Sequence, residues 1–186
     1  MNFKHIASGI AFGAVMLTLV VPGSFAKSSD RDLPNFVQLH NYLAKGGQPT
    51  GRGLGQLRAR NFGNIIDLRQ PGPASSEEQA EVERLGMKYL NIPMGDNPPT
   101  DQQVSLFVQS VEAAEPERNM DWIPAVYVHG ITGANGTSCM VAIWRVTREG
   151  WPYKKALSEM KAAGFDMNLT GMTKVVKDYA DGTKKL

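Results

Sequence analysis

Apolar and polar positions change period several times along this chain, and each change marks an element. Ala125-Val-Tyr-Val-His129 is a β-branched and aromatic run of the kind that forms a buried strand. Asn64-Ile-Ile-Asp-Leu68 and Lys88-Tyr-Leu-Asn-Ile92 predict two more strands. Phe36-Val-Gln-Leu39 and Tyr42-Leu-Ala-Lys45 predict a short pair around the turn-like His40-Asn41. Between them the period lengthens to that of a helix. Thr50 starts one helix, through about Ala59. Ser75-x-x-Glu78 reads as a capping box for a second, to about Leu85, and Thr100-x-x-Gln103 as one for a third, to about Ala114. Thr137 or Ser138 is placed to cap a fourth, whose Val141, Ile143, Trp144 and Val146 are spaced for burial. Pro152 suits the first turn of a fifth, which ends at Gly164 with Ala156, Met160 and Ala163 as its apolar side. Leu169 to Tyr179 predicts a last helix. Strands alternating with helices imply βαβ units, hence an α/β domain with a central, mostly parallel sheet of four or five strands flanked by helices.

The first 26 residues carry a different pattern. Lys4 precedes an apolar run from about Ile6 to Val21, and Pro22-Gly-Ser-Phe-Ala26 ends it with small residues, which predicts an export signal at residues 1–26 and a periplasmic or secreted product. The run is interrupted by Ser8 and Gly9 and falls short of the roughly 20 apolar residues of a membrane span, so a membrane association is expected only if the segment is not cleaved. Removing 26 of the 186 residues leaves 160, enough for one core. Residues 27–35 are expected as a flexible lead-in, 36–182 as the domain and 183–186 as a solvated tail. With Lys4 gone, 19 basic residues face 18 acidic ones, a balance that argues against a nucleic-acid binder relying on bulk charge. The single cysteine, Cys139, allows no intrachain disulfide, and no Cys/His spacing points to a metal site.

The candidate chemistry lies after the strand that ends at His129. Gly130-Ile-Thr-Gly133-Ala-Asn-Gly136 leads into the fourth helix. A strand, a glycine loop and a helix N-terminus together form a concave row of backbone N–H groups at the positive end of a helix dipole, a geometry for binding an oxyanion.

This segment resembles the signature loop of the cysteine-dependent protein tyrosine and dual-specificity phosphatases, His-Cys-x5-Arg-Ser/Thr, in register and without a gap. His129 precedes the nucleophile position, Gly133 is the internal glycine and Thr137 follows the arginine position, but Gly130 stands for the cysteine and Gly136 for the arginine. Further matches are Gly46-Gly-Gln-Pro49 before a helix, Asp67-Leu-Arg69 at a strand end, and Gly150-Trp151 ahead of the fifth helix, so the likeness runs from about Val37 to Phe165. It implies a tyrosine phosphatase-like fold, a phosphate-binding loop of His129, Gly130, Ile131, Thr132, Gly133, Ala134, Asn135, Gly136 and Thr137, and no cofactor. It also implies that Asp96, in the loop Pro93-Met-Gly-Asp-Asn-Pro-Pro99, stands at the general-acid position, with Asp101 a poorer match. An Asp in such a loop also simply makes turns. Arg69 either approaches the phosphate pocket or holds a loop by an ion pair.

In that family a thiolate attacks phosphorus and the arginine fork clamps the phosphoryl oxygens. Gly130 offers no attacking atom and Gly136 no guanidinium, while one preorganised donor alone is worth about 10²–10³ in rate. Thr132 and Thr137 carry hydroxyls that would need a base, and Cys139 reads as a small core hydrophobe. The expectation is a pseudophosphatase that binds phosphate, sulfate or a phosphorylated ligand weakly, with limited discrimination. Two alternatives stay open: an active or substrate-trapping phosphomonoesterase, and an interaction module with a vestigial pocket.

Overall fold

Side chains on the central strands alternate between two separate cores, and that alternation positions the site. The computed structural model describes residues 30–115 and 124–186. Five strands, β1 (Val37–His40), β2 (Leu43–Gly46), β3 (Phe62–Asp67), β4 (Lys88–Asn91) and β5 (Ala125–His129), lie in the order β1-β2-β5-β3-β4. β1 is antiparallel to β2, and the other pairings are parallel. Val126 and Val128 of β5, with Leu43 and Ile66, face a core built on helices α3 (Asp101–Glu112), α4 (Gly136–Arg148), α5 (Tyr153–Ala162) and α6 (Thr170–Ala180). Ala125 and Tyr127, with Ala44 and Ile65, face a smaller core under α1 (Gly51–Ala59) and α2 (Pro73–Arg84). A period of two carries His129 to the same side as Tyr127, and Asp67 to the same side as Ile65. Sheet register then sets Asp67 beside His129.

α4 is the central helix. Ten of its 13 residues are buried, Trp144 and Ile143 among them. Its buried Arg145 is satisfied by Glu149 and Glu159, which ties α4 to α5. No helix of the described residues is long and apolar enough to cross a membrane.

The expected caps hold at Thr50, whose Oγ1 accepts from Gly53 N at 3.1 Å, and at Thr100, which exchanges bonds with Gln103 at 2.7 and 3.2 Å. Two do not. α2 begins at Pro73, so Ser75 is its third residue. Ser75 Oγ accepts from Gly72 N at 2.8 Å, and Glu78 turns inward instead of capping. Proline's preference for the first helical turn sets the start. α4 begins at Gly136, so Thr137 and Ser138 are buried in its first turn rather than capping it.

The expected flexible lead-in is docked over residues 30–35. Leu33 is 1% exposed, Pro34 O accepts from Gly47 N at 2.7 Å, and Asp32 bonds Thr50. In the tail, Lys184 is anchored to Asp101 at 2.6 Å rather than simply solvated. The predicted signal at residues 1–26 and most of the connector from Glu115 to Pro124 lie outside the described residues.

Candidate active site

The carboxyl ends of β3 and β5 open onto a cavity of about 690 Å³. Gly130 to Thr137 form its floor, Arg69, Gln70 and Gly72 to Ser75 one wall, and Met94, Gly95 and Asp96 another. The loop therefore joins a strand end to a helix start as the sequence predicts. All the predicted site residues except His129, which lies beneath the floor, reach this cavity; Asp101 does not, its carboxylate being held by Tyr179 and Lys184.

The loop is shaped by close approaches of backbone. Gly133 has φ +77°, and a Cβ there would run into the carbonyl of Gly46, so neither the dihedral nor the space admits another residue. Gln48 N donates to Ile131 O at 3.1 Å, and Asn35 Nδ2 donates to Thr132 O at 3.0 Å. At the far end Asn135 Oδ1 accepts from Asp166 N at 3.0 Å, so this side chain ties the loop to the α5–α6 link and does not cap its own helix. The first turn of α4 also holds no acidic residue. Among the described residues the N–H groups of Ile131, Thr132, Gly133, Asn135 and Gly136 have no hydrogen-bond partner. Orphan donors at a helix N-terminus attract anions.

Side chains at the two key positions are missing, and their space is differently disposed. A Cβ on Gly130 would stand 3.2 Å from Thr137 Oγ1, a buried hydroxyl with no partner of its own. A Cβ on Gly136 would stand 3.6 Å from the Cβ, Sδ and Cε of Met94. Met94 thus packs against the space beside Gly136. Cys139 is fully buried in the larger core, and burial pushes its thiol up to about 12. It is a core residue, as predicted.

Beneath the floor lies a buried polar cluster. Arg69 Nε donates to both oxygens of Asp67, at 2.9 and 3.0 Å, while Nη2 donates to Asp67 Oδ2 at 2.6 Å and Glu78 Oε2 at 2.8 Å. Tyr89 OH donates to Asp67 Oδ2 at 2.7 Å. Burial opposes the charge on Asp67, but the Arg69 bonds, the neighbouring His129 and the Tyr89 bond outweigh it and hold the carboxyl below its usual range. For Arg69, burial is likewise outweighed by the two carboxylates, which raise it. His129 Nε2 lies 2.7 Å from Glu78 Oε1 without the alignment of a hydrogen bond, and Nδ1 lies 3.3 Å from Gly130 O. Its ring is stacked on Tyr127, so it supports the loop from below. Asp67, Glu78 and His129 place their ligand atoms within 4.8 Å of one another, as a metal would need, but the guanidinium already supplies positive charge to both carboxylates. Arg69 is ion-paired and also lines the cavity.

Glu78 and Met94 were not legible as site residues. Glu78 has the spacing of a capping box, and only the packing of α2 on the His129 side of the sheet reveals its role. Met94 gives no signal in the sequence beyond its place two residues before Asp96.

Among solved structures the fold resembles TpbA of P. aeruginosa, at 19% identity and a TM-score of 0.66 over 85% of this chain and 95% of that one. A TpbA variant in complex with pTyr aligns at 17% identity and a TM-score of 0.63, over 84% of this chain and 96% of that one. The core catalytic domain of the PP-IP phosphatase SIW14 from S. cerevisiae, in complex with citrate, aligns at 16% identity and a TM-score of 0.65, over 80% and 87%. No curated protein matches the sequence. The family described as "DSP-PTPase phosphatase fused to NAD+ Kinase" matches residues 14–178. With that match over most of the chain, on a tyrosine phosphatase-like sheet with its loop in register, the chain belongs to the dual-specificity and tyrosine phosphatase family.

Proposed function

We propose that this chain is an exported pseudophosphatase, which holds phosphate, sulfate or a phosphorylated ligand weakly in the loop 129–137 and does not cleave it. The observation that carries this reading is the pair Gly130 and Gly136 on the cavity floor, beside backbone N–H groups that have no partner among the described residues. Main-chain donors grip an oxyanion without any side chain, whereas attack on phosphorus needs a nucleophile. Cys139 is buried away from the cavity. Thr137 has a hydroxyl but no base, because His129 Nε2 faces Glu78. Asp96 stands at the cavity edge where a leaving-group acid would stand, an inherited position without a partner reaction. The pTyr held by the TpbA variant and the citrate held by SIW14 support anion binding in this fold.

Hydrolysis of 4-nitrophenyl phosphate tests the reading, on the natural protein and on Gly130→Cys/Gly136→Arg with Met94→Ala added to open the space beside Gly136. Turnover is expected only in the variant. Turnover by the natural protein that withstands thiol alkylation would overturn the proposal. Export is tested by sequencing the N-terminus of the secreted or periplasmic product, which is expected to begin at Lys27.

A further inference from the structure

We infer that the cavity selects singly charged sulfate monoesters, aryl sulfates in particular, over doubly charged phosphate monoesters; the inference rests on the oxyanion-binding reading above. Sulfate and phosphate esters present the same three terminal oxygens, so the loop N–H groups serve both. What separates them is charge. The charged residues lining the cavity are Arg69 and Asp96. Arg69 is spent on Asp67 and Glu78, two carboxylates to one guanidinium. Asp96 adds a negative charge at the rim. Among the described residues a second negative charge on the ligand therefore meets no uncommitted cation, and its desolvation cost rises with the square of the charge.

The floor offers a further donor. Thr137 Oγ1 belongs to a residue 1% exposed, has no partner, and points at the space vacated at Gly130. An unpaired buried hydroxyl is costly, and a sulfate oxygen seated there satisfies it. Apolar side chains share the neighbouring walls: Leu68, Ala74, Met94 and Ile131 line the cavity, Met94 packing beside Gly136. Those walls suit an aromatic carrier and leave no fork for a dianion.

The test is calorimetric titration of the natural protein with phenyl sulfate and phenyl phosphate between about pH 5 and about pH 8. Phenyl sulfate stays singly charged throughout, whereas a phosphate monoester loses its second proton near pH 6, so its monoanion fraction falls about 100-fold over this range. Asp96 at the rim, and Asp67, Glu78, Arg69, Tyr89 and His129 beneath the loop, face both ligands, and any change in their charge acts about twice as strongly on a dianion as on a monoanion, so the ratio is read against the phosphate's own titration near pH 6. That ratio is expected to turn at least about 10-fold against the phosphate as pH rises. Gly136→Arg combined with Met94→Ala should reverse the preference, and Thr137→Val should weaken phenyl sulfate. A ratio that is constant or favours the dianion overturns the inference while leaving oxyanion binding intact. No binding of either ligand at millimolar concentration overturns both.

Discussion

Arg69→Met is the perturbation that most sharply separates a structural arginine from a ligand-binding one. In the natural protein the guanidinium makes four hydrogen bonds, at 2.6 to 3.0 Å, to Asp67 and Glu78, whose side chains are 0% and 4% exposed. Methionine matches the length of the stem but leaves two carboxylates buried beside one histidine. Breaking a buried ion pair by removing one partner costs about 3–5 kcal/mol. For a chain of this size each kcal/mol lowers the midpoint by about 2–4 °C, so the melting temperature should fall by about 6–20 °C. Urea unfolding at neutral pH gives the free energy directly. The pH dependence supplies a second check. Asp67 is depressed in the folded state, so its contribution is present above its unfolded value, near 3.8, and fades as pH falls through the lower folded value. Arg69 is raised from an already high value, so it adds no slope near neutrality. The variant should therefore lose stability at pH 7 and show a flatter acid limb. A loss below about 1 kcal/mol, the range of exposed pairs, would refute the buried cluster and return Arg69 to the solvent-facing pocket.

Other positions give independent readings. Gly133→Ala forces a side chain into the Gly46 carbonyl at φ +77°, so it should cost more than about 1 kcal/mol and abolish phosphate-dependent thermal stabilisation. Cys139 should resist iodoacetamide in the folded protein and react fully in denaturant, as read by mass; rapid labelling of the native form would contradict its burial. Thr100→Ala removes the bond from Gln103 N to Thr100 Oγ1, while Thr100 N keeps its bond to Gln103 Oε1, so the loss of this cap on an exposed helix end should cost about 1 kcal/mol by urea melt without changing anion affinity.

The sheet was legible because its strands carry alternation that burial enforces. All five predicted strands form, and their bounds shift by only one or two residues: the strand expected at Asn64–Leu68 is β3, Phe62–Asp67. The loop was legible because its glycines and its flanking strand and helix are local features. The cluster beneath it was not. Asp67 and Glu78 meet His129 only through sheet register and the packing of α2, relations between residues 62 and 51 positions apart in the sequence. Local rules misled at Ser75-x-x-Glu78, where a real hydrogen-bonding serine is the third residue of a helix that Pro73 starts. They misled again at Thr137, whose hydroxyl faces the vacant Gly130 instead of capping α4. Arg69 was legible as a residue but not as a choice between roles, since the partners that decide it come from two elements.

The most direct measurement is a ¹⁵N–¹H correlation titration of the natural protein with phenyl phosphate at about pH 6, with phenol release followed in the same tube. The amides of Ile131, Thr132, Gly133, Asn135 and Gly136, which have no partner among the described residues, are predicted to shift together and saturably while no phenol forms. Unmoved loop amides, or phenol accumulating at a rate proportional to protein, would contradict an anion cradle that has outlived its chemistry.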